Sequence, residues 1–148
     1  MAPLIALVGS WIVFRLAGLI GLSYFDGWQH PLQAAVAVML LLTASAHFGS
    51  RRQDLVRMVP ESLPARETIV SATGWLELAG AAGILIPAAA PAASVCLAVL
   101  FIAMFPANVR AAKEKLTIGG QPVPALPVRT VLQLLFIAAV LAAAPPIL

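Results

Sequence analysis

Five apolar stretches dominate this chain, each near the roughly 20 residues a helix needs to cross a hydrocarbon core about 30 Å thick. They run from Leu4 to Leu22, Leu32 to Phe48, Thr68 to Ile86, Ala92 to Val109 and Val128 to Ala144. The breaks between them carry turn chemistry: Asp26-Gly27 and His30-Pro31, then Pro60 and Pro64, then Pro87 and Pro91, then Gly119-Gly120 with Pro122, Pro124 and Pro127. Of the 148 residues, 61% are hydrophobic and 10% charged, whereas a soluble domain carries about a quarter charged residues. Such a chain is solvated by lipid, which excludes a water-soluble globule, a disordered chain, collagen and a disulfide scaffold. The expected fold is all-α, a polytopic transmembrane helix bundle forming one domain over residues 1–148.

The basic residues set an expected orientation. Arg51, Arg52, Arg57 and Arg66 lie between the second and third stretches, and Arg110, Lys113 and Lys115 between the fourth and fifth, while Arg129 opens the fifth. The loops on the other side carry only Asp26. Positive charge held inside puts the N-terminus in the cytoplasm and the C-terminus outside, with Tyr24, Phe25 and Trp28 at the outer interface. A net charge of +3 then reports topology and no appetite for nucleic acid. The first stretch reads as a span and not a cleaved leader, because no basic segment precedes it and Arg15 lies within it. Between spans two and three, Leu55, Met58 and Val59 recur beside Arg51, Arg52 and Arg57. This segment is either a short amphipathic turn on the inner surface, ended by Pro60, or a solvated connector. Cys96 is the only cysteine, so a dithiol redox enzyme and an intrachain disulfide are excluded, and the residue reads as packing.

Polar side chains inside the spans carry the functional argument. Arg15 falls roughly 16 Å into the first span and Glu77 roughly 14 Å into the third at 1.5 Å per residue. A charge near the midplane costs about 2.5–3.5 kcal/mol, so each needs a partner, and the expectation is that Arg15 and Glu77 form a buried ion pair. Such a pair serves structure or a substrate and proton site. Thr73, Glu77, Gly80 and Ile84 share one helix face, where Gly80 and Gly83 admit a close neighbour; Trp11, Arg15 and Gly18 share another.

A second constellation lies nearer the inner side. His47 ends span two with Thr43 one turn back, Asn108 ends span four with Met104 one turn back, and Arg129 and Gln133 open span five. Alternating span directions bring these four to a similar depth. Imidazole, amide and guanidinium donors there suit a carbonyl, phosphate or carboxylate head group, or else cap helix ends at the interface. His47, Glu77, Asn108, Arg129 and Gln133 are therefore the candidate ligand-binding residues. A bis-histidine haem does not fit, since His30 and His47 stand at opposite ends of one span, and His47 with Glu77 offers two ligands where a metal wants three or four. Ser45 and His47, two apart on a helix, point to different faces. No self-contained catalytic centre emerges, and no catalytic residue is assigned.

His47-Phe48 closing a span, Met58-Val59-Pro60 with Leu63-Pro64 in the next loop, Thr73-Gly74-Trp75-Leu76-Glu77-Leu78 and Phe105-Pro106-Ala107-Asn108 occur in an order that resembles the DoxX-like membrane proteins. Arg129 and Gln133 look like the polar opening of that family's last span, and the likeness covers Ala34 to Ala139. It implies a four-helix antiparallel core, to which this chain adds one N-terminal helix, and an association with sulfur, quinone or oxidative-stress systems; distant relatives act as membrane chaperones. Arg15 has no counterpart in it.

The expected function is that of an auxiliary redox or stress-response protein in a bacterial-type inner membrane. It would bind a lipid-soluble ligand such as a quinone, alone or as a subunit of a quinone-linked oxidoreductase. No other cofactor and no metal is expected; the partners are the bilayer, the ligand, and a redox protein or a second copy of the chain. The alternative is a non-enzymatic scaffold or chaperone for another membrane protein, favoured by the lack of a redox centre and by the small residues of span three.

Overall fold

The computed structural model describes residues 1–145 and is helical almost throughout. Five long helices, α1 (Ala2–Leu19), α2 (Gln29–Phe48), α4 (Arg66–Leu85), α5 (Ala90–Lys113) and α6 (Leu126–Ala143), are joined by a 3-10 turn at Ser23–Phe25, the short helix α3 (Arg52–Met58), and a hairpin of β1 (Thr117–Ile118) and β2 (Gln121–Pro122). All five are long and apolar enough to cross a membrane, so the chain has the build of an integral membrane protein.

Local chemistry explains the boundaries. Pro3, Pro91 and Pro127 sit in the first turns of α1, α5 and α6, where a missing N–H costs nothing. α3 and α4 stop at the residue preceding or just before Pro60 and Pro87, which cannot continue a helix. Gly119 and Gly120 both take positive φ, 58° and 77°, the geometry a two-residue hairpin turn demands. α5 runs beyond the expected end at Val109 to Lys113, with Arg110 and Lys113 in the last turn complementing its dipole.

α2 packs against α4, α6 and α1, and α5 packs against α4 and α6. The helices α2, α4, α5 and α6 thus close a ring, and α1 lies outside it against α2. Half of α2's apolar stretch is buried, against 11% of α1's, so α2 is the central element. The ring is filled unevenly. Val36, Met39 and Leu40 of α2, Ala81 and Ile84 of α4, Leu97 and Phe101 of α5 and Val140 of α6 pack a solid apolar core toward the α4–α5 turn. There Gly80 and Gly83 of α4 meet the Leu97 and Ala93 side chains of α5, so the small residues serve contact within the chain.

Two expectations are corrected. The Arg15–Glu77 ion pair does not form: Arg15 Nη1 donates to the carbonyl oxygens of Phe25 at 3.0 Å, Asp26 at 2.7 Å and Gly27 at 3.3 Å. α1 ends at Leu19 and not Leu22, which puts Arg15 in the penultimate turn within reach of the following loop, and α1 packs on α2 and not on α4. Cys96 is not a packing residue but lies on the exposed face of α5 with Val95 and Val99, since the buried face falls to Leu97 and Ala98.

Candidate functional site

Next to the solid core, at the end of the ring carrying α3, the helices border a partly open cavity of about 460 Å³. That volume lies in the range of small-molecule sites, about 300–1,000 Å³. Met39, Leu42, Phe101, Met104, Leu132 and Phe136 give it apolar walls, and the polar side chains form two chemically distinct groups on opposite sides of the ring.

The first group belongs to α2 and α4. His47 and Glu77 are 4% and 2% exposed, and Nε2 of the histidine lies 3.4 Å from Oε1 of the glutamate. Thr43, one turn before His47, donates its hydroxyl to Glu77 Oε2 at 2.6 Å. His47 Nδ1 lies 2.8 Å from the Val70 carbonyl oxygen and 3.2 Å from Thr73 Oγ1. A carbonyl only accepts, so Nδ1 carries a hydrogen. Nε2 and Glu77 Oε1 then hold one proton between them, because two bare acceptors facing each other in a buried site would repel. Whichever atom holds that proton, the pair has no net charge. Thr73 Oγ1 also bonds Ile69 and Val70 oxygens at 3.0 Å, fixing the turn that presents the Val70 carbonyl.

The second group belongs to α5 and α6 and runs as a chain of donors. Arg129 Nη2 donates to Asn108 Oδ1, Asn108 Nδ2 donates to Gln133 Oε1 at 3.0 Å, and Gln133 Nε2 donates to the Phe101 carbonyl. Each bond polarises the next, with the charge at the Arg129 end. Pro106 removes the N–H that α5 would otherwise aim at the Ile102 carbonyl, next to the oxygen Gln133 uses.

A lid covers the α3 end. Val56 and Val59 pack against Val70 of α4, Arg52 donates to the carbonyls of His47 at 2.9 Å and Glu67 at 3.0 Å, and Arg110 donates to the Val59 carbonyl at 2.6 Å and to Glu61 at 2.9 Å. The segment is a short helix whose Val56 and Met58 are buried against the rest of the chain. The hairpin joins the lid through the Gly119 N–H, which donates to Asp54 Oδ2 at 2.8 Å. That bond first, and the Arg57 guanidinium after it, holds the Asp54 carboxyl below the usual carboxylate range.

All five candidate ligand residues, His47, Glu77, Asn108, Arg129 and Gln133, border this one cavity. Among the described residues no three His, Cys, Asp or Glu side chains converge as metal ligands.

Residues 36–144 match the protein family described as Domain of unknown function (DUF8561). The chain belongs to this family. The DUF8561 segment begins inside α2 and ends at the close of α6, so it takes in most of the ring with the lid and omits α1. No curated protein and no solved structure matches the chain.

Some cavity-lining residues of the DUF8561 segment were not among the candidate ligand residues. Arg51 and Leu55 near the lid, and Ile118, Gly119 and Gln121 to Pro124 around the hairpin, border the cavity because the chain folds back over it. Outside the segment, Met1 to Leu4 of α1 contribute as well. Gly119 is the one legible hint: a Cβ there would lie 3.1 Å from Arg51 Nε, and its φ of 58° disfavours a side chain anyway.

Proposed function

We propose that this protein holds a lipid-soluble molecule in the cavity between its helices, head toward the lid and tail among the apolar side chains. The observation that carries the reading is the pairing of a sizeable apolar cavity with two fully oriented polar groups at one end of it. Buried polar chains of this kind are expensive to leave incompletely satisfied, and a bound oxygen-bearing head group completes them. A quinone is the representative ligand: its carbonyls accept hydrogen bonds from the amide and guanidinium donors, and the His47–Glu77 proton lies on the opposite wall. The DoxX-like resemblance favours an auxiliary role beside a redox or stress-response system, in a bacterial-type inner membrane.

The orientation follows from charge. The lid end carries Arg51, Arg52, Arg57, Lys113 and Lys115, so we place it, with the start of α1, in the cytoplasm and the end of α6 outside. Cysteines introduced as Gln53→Cys and Asp26→Cys should label with an impermeant thiol reagent from opposite faces of the membrane. The scaffold reading drew on the lack of a redox centre and on the small residues of span three; Gly80 and Gly83 meet α5 side chains of the same chain, which removes the second ground, so the cavity reading is preferred.

The test is extraction in mild detergent followed by lipid mass spectrometry and thermal melts with added ubiquinone analogues. Copurifying isoprenoid lipid or a ligand-dependent rise in Tm supports the reading. Protein that carries no lipophile and melts identically with every one supplied overturns it.

A further inference from the structure

The two polar groups differ in charge balance, and the difference specifies the ligand's head. Four other arginines meet carboxylates or backbone carbonyls: Arg15 three carbonyls, Arg52 two, Arg57 the Asp54 carboxylate, and Arg110 a carbonyl with Glu61 and Glu114. Arg51 and Arg66 have no such partner among the described residues either, but only Arg129 has a buried side-chain nitrogen left without one. It borders the cavity, its one hydrogen-bond partner among the described residues is the neutral Asn108 amide, and no carboxylate lies within ion-pair distance. Its Nε is buried with no acceptor.

The other charged side chains around the cavity do not neutralise it. Glu77 is bonded to Thr43 and His47, and the one-proton bookkeeping makes that pair neutral as a unit. Arg51, at the rim, adds positive charge. Arg129 also stands in the first turns of α6, where the helix dipole is positive and an arginine is ill-placed unless an anion lies close by. The α3 lid and the hairpin cover this end of the cavity, so the missing anion is sought inside it.

Resting on the reading of the cavity as a lipophile site, we propose that its ligand is an amphiphile with an oxyanion head, a carboxylate or phosphate, seated on Arg129 with its apolar tail among Met39, Leu132 and Phe136. A neutral quinone satisfies the amides and the walls but leaves the guanidinium charge unbalanced. A carboxylate or phosphate answers the charge and accepts from the planar fork as well.

The experiment uses the full chain in zwitterionic nanodiscs, titrated with palmitate, methyl palmitate, monohexadecyl phosphate and a ubiquinone analogue, with affinity and Tm as readouts. The wild type should bind palmitate about tenfold or more tightly than its methyl ester, the factor a charge-assisted bond supplies. Arg129→Gln should abolish that preference and Arg129→Lys should keep part of it. Phosphate binding at least as tight as palmitate identifies a phosphate head as the natural one, and weaker binding a carboxylate; both support the oxyanion. Equal binding of acid and ester by the wild type, or an acid preference surviving in Arg129→Gln, overturns the proposal. The wild-type comparison decides the matter even if the variants fail to fold. Binding of the quinone without any acid preference sinks the oxyanion head and leaves the cavity reading standing; binding of none of the four sinks both.

Discussion

Gly74 of α4 faces His47 of α2 so closely that a Cβ built on the glycine would lie 2.6 Å from the His47 Cβ, and 2.9 Å from Phe48 Cζ. The glycine lets the two helices approach until the imidazole reaches the Val70 carbonyl on one side and Glu77 on the other. Gly74→Ala should therefore act as overpacking, lowering stability by about 1–3 kcal/mol. The check is a thermal melt in detergent against Ala72→Gly on the exposed face, which should cost about 1 kcal/mol through helix propensity alone. Equal losses would mean that the close approach is not maintained in solution.

His47 and Glu77 act as a unit and Arg15 belongs to another part of the molecule. A double-mutant cycle on His47→Gln and Glu77→Gln should return a coupling of about 0.5–3 kcal/mol, while one on Arg15→Gln and Glu77→Gln should return less than about 0.5 kcal/mol. Strong coupling of Arg15 to Glu77 would restore the ion pair that the sequence alone suggests.

Asn108 accepts from a guanidinium, and Gln133 joins neutral groups. Hydrogen bonds to charged groups are worth about 1.5–3 kcal/mol and neutral ones about 0.5–1.5 kcal/mol. Asn108→Leu should thus destabilise more than Gln133→Leu, as measured by unfolding in matched detergent. The reverse order would mean that Arg129 finds another acceptor.

Acid should loosen the lid. The Gly119 N–H holds the Asp54 carboxyl below its ordinary range, with Arg57 assisting. A carboxyl depressed in the folded state contributes stability that is fully present above its unfolded value, about 3.9, and fades as pH falls through the folded one. Protection of the Gly119 amide against hydrogen exchange, corrected for its intrinsic rate, should be level from about pH 7 to pH 5 and drop below about pH 4. Asp54→Asn should flatten the profile, and a profile unchanged by that substitution would dissociate the hairpin from Asp54.

The spans were legible because periodicity hardly matters to a helix in lipid; length and proline placement suffice, and Pro60, Pro87, Pro91 and Pro127 mark helix boundaries as expected. The site was legible in part. His47, Asn108, Arg129 and Gln133 could be grouped because alternating spans fix depth, and depth survives an error of a few residues. Arg15 could not be assigned for the same reason: at a helix end, three residues decide whether a guanidinium meets a neighbouring helix or its own following loop. The lid was illegible beyond α3, since the Asp54–Gly119 bond joins residues 65 apart and no local pattern encodes it.

Arg129, whose charge no carboxylate among the described residues balances, borders a cavity that Met1 and the first residues of α1 also border. α1 stands outside the DUF8561 segment, yet it docks on α2 and places Leu7 in the apolar core. The four helices that hold the polar side chains thus form one body, and the start of α1 supplies part of the cavity's wall from outside it.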